Sequence, residues 1–492
     1  MLAKYLLSIS LLSLLTCSAL ADDVSDDLAG FDDEEVLVEE DGDLAGFSDD
    51  SDDLSGFAEE ETISQEALHV EKEKESIFTL SGDLAFKTSA GYKSHRVKAY
   101  KTDVKGIDYS GINQAQTSLY LQLDAKLSHD WKMRISGDAY YDGIYDLNSH
   151  NDYNHDTKDE YRTQLRFDDV YLQGRLTPDL DLKVGRQIVV WGKSDSIRIT
   201  DVINPLDNRL PGMTDIEDLR LSVGMAKFDY YEGDWNYSFM LIAESRIMLE
   251  APARSEFFPV DSVFPTAAPD PFLELKDTAT SWENIQYAMA ANGVFSGWDL
   301  SFYAADVLDQ KWYLDIKTRD RRVSKVKMLG SAVNIAYGSW LLKSEVAFLN
   351  GVRYNSTQDD KNRLDTLVGV DYMGINDTVL SLEIANRHIF DYEAQMSSES
   401  ITSPDYVDNN ELQTAIRVTR SFVNETINVN ALLSMFGGDW QYGGFGRIWV
   451  DIELSDGLNA SFGVVDYIDG DRPYIKSISN NDRVFADITY SF

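Results

Sequence analysis

Cysteine, proline and positive charge are all scarce in this chain. Its one cysteine, Cys17, stands near the start, so disulfides, thiolate metal sites and a cysteine nucleophile are excluded from the remainder. No apolar run reaches the ~18 residues that a membrane-spanning helix needs. Lys and Arg number 44 against 84 Asp and Glu, a net charge of −40. Such acidity argues against a nucleic-acid partner, because phosphate binding requires a basic surface.

The first residues have the three parts of a signal peptide. Lys4 supplies positive charge, Leu6–Leu15 is a short apolar run, and Ala19–Ala21 is an export cleavage site. Cys17 follows a threonine rather than a small Gly or Ala, which disfavours lipidation. We therefore predict that residues 1–21 are removed during export and that the mature chain starts near Asp22.

Residues 22–76 form a strongly acidic leader, with 23 acidic residues against two lysines. Such a stretch repels itself and cannot bury enough apolar surface to fold alone, so we expect it to be mostly disordered. It contains three copies of one short motif, at Asp27–Phe31, Asp43–Phe47 and Asp53–Phe57.

Each copy of this motif sets a leucine and a phenylalanine in acidic surroundings, a composition typical of short linear binding motifs. The candidate anchors for a periplasmic or inner-membrane transport partner are Leu28, Phe31, Leu44, Phe47, Leu54 and Phe57. Three copies would raise the effective concentration at such a partner. The alternatives are a solubilising spacer and a plug that enters the folded domain.

Throughout residues 77–492, apolar and polar residues alternate in runs of about 10 to 14 residues. In one run Trp131 and Met133 share a face, while Lys132 and Arg134 share the other. A period of two with this contrast indicates a half-buried strand, and the run length suits a tilted bilayer crossing. The sequence therefore predicts an all-β fold, a transmembrane, antiparallel, up-and-down β-barrel surrounded by outer-membrane lipid.

Tight turns alternate with longer polar connections along this range. Turn residues recur in short stretches such as Thr177–Asp179 and Glu232–Asp234. Counting the runs predicts about 18 strands, with 16 as the alternative. The last run ends on Phe492 at the apolar parity, which resembles the strand signal read by the barrel-assembly machinery. A water-soluble β-sandwich or propeller is the competing fold, and it would place the apolar faces in a core.

The polar strand faces would line the barrel interior with charges of both signs, which suits a polar path. The candidate lumen or constriction residues are Arg134, Asp138, Arg166, Asp168, Asp169, Arg186 and Arg220. The same charges could instead pair with one another and fill the interior.

Arg186 breaks the alternation, because it shares its parity with the apolar Val184 and would point into lipid. A charge there costs about 2–4 kcal/mol at mid-membrane. We predict one bulge at Asp168–Asp169 and a second at Gly185, which together would turn Arg186 inward to pair with one of those aspartates. The pair would be either an internal ion pair or part of a constriction.

Two short segments resemble a known family. Val184–Lys193 reads VGRQIVVWGK and Asp201–Asp207 reads DVINPLD. This Gly-Arg-Gln, Trp-Gly and Asn-Pro-x-Asp arrangement resembles the porin-like bacterial family of outer-membrane barrels catalogued as domain of unknown function 1302. The resemblance implies an outer-membrane location and a transport role, and it supplies no substrate. From the residues alone, the connection at 194–218 is a candidate for folding into the barrel mouth.

Two functions from different classes fit these patterns. The first is a porin-like channel or transporter for a solute or lipid-like molecule, with the leader docking a periplasmic partner. The second is a non-transport barrel that acts as a surface-binding or scaffold protein. An outer-membrane hydrolase is a distant third, since the sequence has no nucleophile elbow, phosphate loop or zinc-protease motif. We expect no enzyme activity, no cofactor and no metal.

Overall fold

The computed structural model of the protein describes most of the predicted barrel domain. The described residues are 77–97, 106–148, 151, 153, 155–252, 255–258, 284–315, 320–355, 357–397 and 406–492. The predicted signal peptide, the acidic leader and its three repeats lie outside these ranges, as does most of the connection between 247 and 282. Within the described ranges, no helix is long and apolar enough to cross a membrane.

The domain is a single sheet of 18 strands. In chain order they are β1 Phe78–Gly91, β2 Gly111–Lys126, β3 Trp131–Asp142, β4 Thr163–Thr177, β5 Leu180–Gln187, β6 Val223–Glu232, β7 Trp235–Ile242, β8 Gln286–Phe295, β9 Trp298–Leu314, β10 Arg321–Tyr337, β11 Trp340–Val352, β12 Lys361–Ile375, β13 Thr378–Ile389, β14 Asn410–Phe422, β15 Ile427–Phe436, β16 Gly444–Ser455, β17 Leu458–Ile468 and β18 Arg483–Ser491. The predicted strand number is confirmed.

The sheet closes on itself. Each strand pairs antiparallel with the next, and β18 pairs with β1 from Asp83 opposite Ser491 to Gly91 opposite Arg483. A closed ring leaves no strand without a neighbour, which removes the unpaired edge that makes open sheets prone to aggregate. The fold is therefore the predicted up-and-down barrel.

Alternation along the strands separates an apolar exterior from a polar interior. In β18 the side chains of Val484, Ile488 and Tyr490 are exposed, whereas that of Arg483 is buried. The same contrast holds in β11, where Leu342 is exposed and Glu345 is buried. An apolar exterior suits lipid and not water, so the competing soluble sandwich or propeller is wrong.

Short and long connections lie at opposite ends of the barrel. The tight turns include those after β4, β6 and β16, where Gly233 and Gly457 have the positive φ that such turns require. The long connections carry short helices at Ile144–Leu147, His155–Tyr161 and Pro473–Ile478 and a 3₁₀ turn at Ala394–Ser397. They also carry the two-residue strand pairs Arg96–Val97 with Ile107–Asp108 and Asp207–Asn208 with Leu249–Glu250.

The predicted bulge at Asp168–Asp169 is present, because Ile135 pairs with Val170 while Gly137 pairs with Phe167. The predicted second bulge at Gly185 is wrong: β5 pairs with both neighbours without a register shift there. The reason is that β5 meets β4 only from Val170 to Thr177, on the turn side of the first bulge. On that side of the bulge the outward and inward faces of β4 and β5 already match, so β5 needs no bulge of its own.

Without that second bulge, Arg186 stays on the outer face of the barrel. It lies directly opposite Val170 and shares its parity with Val184. The predicted pairing with Asp168 or Asp169 is therefore also wrong. The guanidinium instead pairs with the carboxylate of Glu244, just beyond β7, and donates to the backbone oxygen of Phe167 at 3.2 Å. Pairing with Glu244 lowers the cost of a charge on the lipid-facing surface.

Candidate functional site

The connection between β5 and β6, residues 188–222, folds into the barrel; we call it the inserted loop. Trp191, Ile197 and Ile199 of this loop are buried and belong to the main apolar cluster, which lies inside the barrel. Trp191 stacks on Tyr303 of β9 with ring centroids 4.8 Å apart. The prediction that this connection enters the mouth is confirmed.

Two buried glutamates on the far wall hold the inserted loop. Glu345 of β11 accepts from the backbone N–H groups of Lys193 at 2.6 Å and Ser194 at 2.8 Å, and also from the hydroxyl of Thr200 at 2.8 Å. Glu383 of β13 accepts from the Ser194 hydroxyl at 2.6 Å and from two further loop amides. Hydrogen bonds to a charged acceptor are among the stronger ones in proteins, so these contacts define where the loop lies.

A second attachment lies further around the barrel. Asp215 of the inserted loop pairs with Arg417 of β14, 2.8 Å away, and with Arg447 of β16. Four residues earlier in the loop, the backbone oxygen of Pro211 accepts from the Tyr467 hydroxyl of β17 at 2.6 Å. The inserted loop therefore spans the interior from β5 to the wall opposite.

The residues that carry the family resemblance build this loop. The Asn204 side chain donates to the backbone oxygens of Gln187 and Leu221 and accepts from Val189 N–H, so it joins the start of the loop to its end. Gly192 has a φ of +90°, and a Cβ there would lie 2.8 Å from a carboxylate oxygen of Glu345. Only glycine permits both this backbone and this close approach.

A cavity of about 700 Å³ remains between the inserted loop and one side of the wall. Strands β1–β4 and β18 form the wall side. The loop side consists of residues between Asp207 and Arg220, together with Glu256 and Phe257 from the next long connection. The wall contributes Asp83, Lys87, Gln116, Tyr120, Asp138, Tyr140, Arg166, Asp168, Asp169 and Arg483 to the lining.

Four of the predicted lumen residues meet at this cavity. Arg166 contacts Asp138 at 2.9 Å and Asp168 at 2.8 Å, and it also reaches Asp207 of the inserted loop at 3.4 Å. Asp169 lines the cavity beside them, and its Oδ1 has no hydrogen-bond partner among the described residues. The cluster therefore joins wall and loop across the edge of the cavity.

The other predicted residues lie elsewhere or play another part. Arg220 lines the cavity but pairs with Asp201 of its own loop at 2.8 Å. Arg134 pairs with Asp124 at 2.7 Å, nearer the tight-turn end and away from the cavity. Arg186, as described above, is on the outside. Sequence parity identified the faces correctly, but it could not show which lumen charges the loop would cover.

The inserted loop carries its own titrating groups into the cavity. Burial favours the protonated form of Asp207, but hydrogen bonds and charge from Arg209 and Arg166 outweigh it and lower the pKa of Asp207. Burial, together with the neighbouring carboxylates of Glu217 and Asp215, raises the pKa of Asp218. Asp207 is therefore held charged by its partners, whereas Lys87 and Arg447 lower the pKa of Asp218 too little to offset burial and its acidic neighbours.

Sequence reasoning missed Glu345, Glu383 and Asp215 as anchors of the loop. Strand parity places Glu345 and Glu383 on the interior face, but their partners lie more than 140 positions away along the chain. Glu256 was also missed: it pairs with the buried Arg483 and accepts from Asn113 at 3.2 Å. No local pattern marks such long-range pairs.

A closed strand ring with an apolar exterior, a polar interior and a loop folded across the lumen defines a β-barrel of the porin type. The chain belongs to the family described as "Protein of unknown function (DUF1302)", whose profile matches residues 6–492. The family assignment from the two short segments is thereby confirmed. No curated protein matches the chain.

Solved structures similar to the chain include outer-membrane porins at low identity. OccAB1 of Acinetobacter baumannii is 10% identical, covers 84% of this chain and 96% of its own, and has a TM-score of 0.48. OccAB4 of the same organism is 11% identical, covers 85% of this chain and 99% of its own, and has a TM-score of 0.47. OccK2 (OpdF) of Pseudomonas aeruginosa, solved with glucuronate, is 12% identical, covers 84% of this chain and 98% of its own, and has a TM-score of 0.47. These similarities supply no substrate for this chain.

Proposed function

We propose that the barrel lies in the bacterial outer membrane and acts as a porin-like channel for small polar solutes, with a preference for positive charge. The observation that carries the proposal is the set of charges around the cavity that have no ion-pair partner among the described residues. Five are carboxylates, Asp83, Asp142, Asp169, Glu217 and Asp218, and one is the ammonium of Lys87.

The other cavity charges largely cancel. Arg166, Arg209, Arg220 and Arg483 each have a carboxylate partner. A permeating ion therefore meets mainly the field of the unpaired carboxylates, and fixed negative charge in a narrow passage attracts cations and repels anions. The inserted loop concentrates this field because Glu217 and Asp218 are adjacent on it.

Conductance in planar bilayers tests the proposal. We expect discrete conductance steps and a reversal potential in a KCl gradient that indicates preference for K⁺ over Cl⁻. The double substitution Glu217→Gln with Asp218→Asn should move the permeability ratio toward one. Asp456→Asn, in the tight turn after β16, removes a charge far from the cavity and should leave the ratio unchanged. A folded barrel that never conducts would contradict the channel and favour the scaffold.

We further propose that the acidic leader docks a periplasmic partner through its three repeats. The support is the composition of the leader, in which a leucine and a phenylalanine recur together within strongly acidic surroundings. Replacing Phe31, Phe47 and Phe57 by Ala should reduce solute uptake in cells but leave conductance in bilayers unchanged. Equal uptake by the triple variant and the parent would contradict docking.

A further inference from the structure

One part of the barrel wall is not closed by strand pairing. β5 pairs with β4 only as far as Val170, so Thr163–Asp169 at the long-connection end of β4 has no strand beside it on that flank. Likewise, β8 pairs with β9 only as far as Asp306, and β9 continues to Leu314. Between these two strand edges, the wall is completed by loop segments.

We call these segments the wall patch: Leu206–Asn208, Leu219–Ser222 and Leu249–Glu250. They hold together through backbone bonds, including Asp207 N–H to Leu219 O at 2.7 Å and Leu249 N–H to Leu206 O at 2.9 Å. The patch also has a backbone attachment to β9, where Met248 N–H donates to Gln310 O at 3.0 Å. On the β9 side the wall is therefore continuous.

The contact line between the wall patch and Thr163–Asp169 of β4, which we call the seam, is different. Among the described residues, no backbone-to-backbone hydrogen bond crosses it. Side chains make the contacts instead: the Ser222 hydroxyl donates to Asp168 O at 2.5 Å, and Arg166 reaches Asp207 at 3.4 Å. Arg186 donates to Phe167 O from the outer face. Separating a few such contacts costs far less than separating a strand ladder.

The seam lies between the cavity and the lipid-facing surface. On its inner side, Arg166 and Asp168 of β4 and Asp207 of the patch all line the cavity. On its outer side, Leu165 is 81% exposed and Phe167 is 59% exposed. A molecule held across the seam would have its polar end among unpaired carboxylates and its apolar end beside these two side chains.

From this arrangement we propose that the seam is a lateral exit, through which an amphiphile with a cationic headgroup passes between the cavity and the surrounding lipid. The proposal rests on the cation preference of the cavity argued above. A molecule that enters the barrel could then leave into the membrane as well as through the channel. The opening would form where side-chain contacts across the seam separate, while the closed ring of paired strands nearer the tight-turn end stays intact.

Photolabelling of the reconstituted full chain tests the exit. The probe is dodecylamine with a diazirine on the chain carbon nearest the aminomethyl group, so that the reactive carbon accompanies the cationic headgroup, and it is added to the bilayer. Trypsin releases Leu210–Arg220, which lines the cavity, and Phe167–Arg175, in which label localised by fragmentation to the exposed Phe167 and Leu172 reports the outer face. The protein carries Asp168→Cys with Ser222→Cys, a pair placed across the seam. It is labelled in reduced and oxidised form, and both samples are reduced after labelling and before digestion.

We expect the probe to label Leu210–Arg220 in the reduced protein and several-fold less in the oxidised protein, with equal labelling of Phe167–Arg175 in both. A matched pair, Ser421→Cys with Asn428→Cys, joins two directly paired strand residues and should change neither peptide on oxidation. Absence of label from Leu210–Arg220 in the reduced protein, or label that oxidation does not reduce, would overturn the exit.

The headgroup preference has its own comparison. A dodecanoate with the same diazirine should label Leu210–Arg220 less than the amine does, and equal labelling would overturn the cationic class. Ion conductance of the same preparations separates this inference from the proposed function. Conducting channels without label in the cavity contradict the exit alone, whereas a silent barrel contradicts the channel whatever the labelling shows.

Discussion

At the scale of single residues, buried carboxylates of the barrel wall position the inserted loop by accepting its hydrogen bonds. Glu345 is 3% exposed and Glu383 is 1% exposed, and both accept only from the loop segment 192–200 in the contacts described above. A buried charge is tolerated only when its hydrogen bonds are complete. The loop supplies those bonds, so the wall and the loop depend on each other.

Replacing Glu345 by Gln should loosen the loop. The amide nitrogen cannot accept, so at least one loop donor is left unsatisfied, and we expect the free energy of unfolding to fall by roughly 2–3 kcal/mol. Single-channel conductance should rise because the loop moves from its place across the lumen. Glu453→Gln, on a more exposed part of β16, serves as the control. An unchanged conductance with normal folding would show that the loop is held by other contacts.

The ionisation of Asp482 should make the stability of the fold depend on pH. Burial raises the pKa of Asp482 to about 6, and the carboxyl of Asp466 adds to the effect while Lys93 opposes it. A carboxyl whose pKa is raised by folding stabilises the fold below its ordinary pKa, and this contribution is lost as the pH rises through about 6. Asp482→Asn keeps an acceptor for the backbone of Tyr467 and cannot ionise.

The free energy of unfolding of the parent, relative to Asp482→Asn, should therefore fall between about pH 4 and about pH 7. Urea unfolding in detergent at several pH values measures the difference. Asp456→Asn, in an open turn, should show no such trend. A constant difference between the parent and Asp482→Asn across this pH range would contradict the assignment.

At the scale of elements, the inserted loop decides how much of the lumen is open. It begins at β5 and reaches β11, β13, β14 and β16, so one connection closes the interior that 18 strands enclose. The cavity of about 700 Å³ lies on the side of β1–β4. The size of the passage is thus a property of a loop and not of the barrel circumference.

Replacing residues 195–205 by a short Gly-Ser linker should raise the conductance, because the strand ring and Leu206–Asn208 of the wall patch remain while part of the obstruction is removed. Resistance of the barrel to SDS at room temperature, read as a gel shift on heating, checks that the variant still folds. A folded variant with the parent conductance would show that another part of the chain limits the passage.

At the scale of the whole molecule, acidic residues are distributed unevenly along the chain. The leader carries 23 of the 84 acidic residues in about a ninth of the chain. In the barrel, the proposed preference for cations would depend on long-range fields rather than on direct contacts. Such fields are sensitive to salt.

We therefore expect the K⁺ over Cl⁻ permeability ratio to fall as the ionic strength rises from about 0.1 M to about 1 M, since the Debye length shortens from about 10 Å to about 3 Å. Reversal potentials at a fixed concentration ratio and increasing absolute concentration measure this. A ratio independent of salt would indicate selection by direct coordination or by size.

The sequence by itself determined the closed barrel, its strand number and the parity of its faces, because a period of two along a strand is a local property that lipid on one side and water on the other impose directly. It also marked the bulge at Asp168–Asp169, where the parity changes. It misjudged Arg186, because the need for a second bulge depended on where β5 stops pairing with β4. Only the tertiary structure decided that Glu244 neutralises Arg186, that Glu345 and Glu383 hold the inserted loop, and that the wall between β4 and β9 is completed by loop segments. These are contacts between residues far apart in the chain, and their energy comes from three-dimensional proximity that no local pattern records.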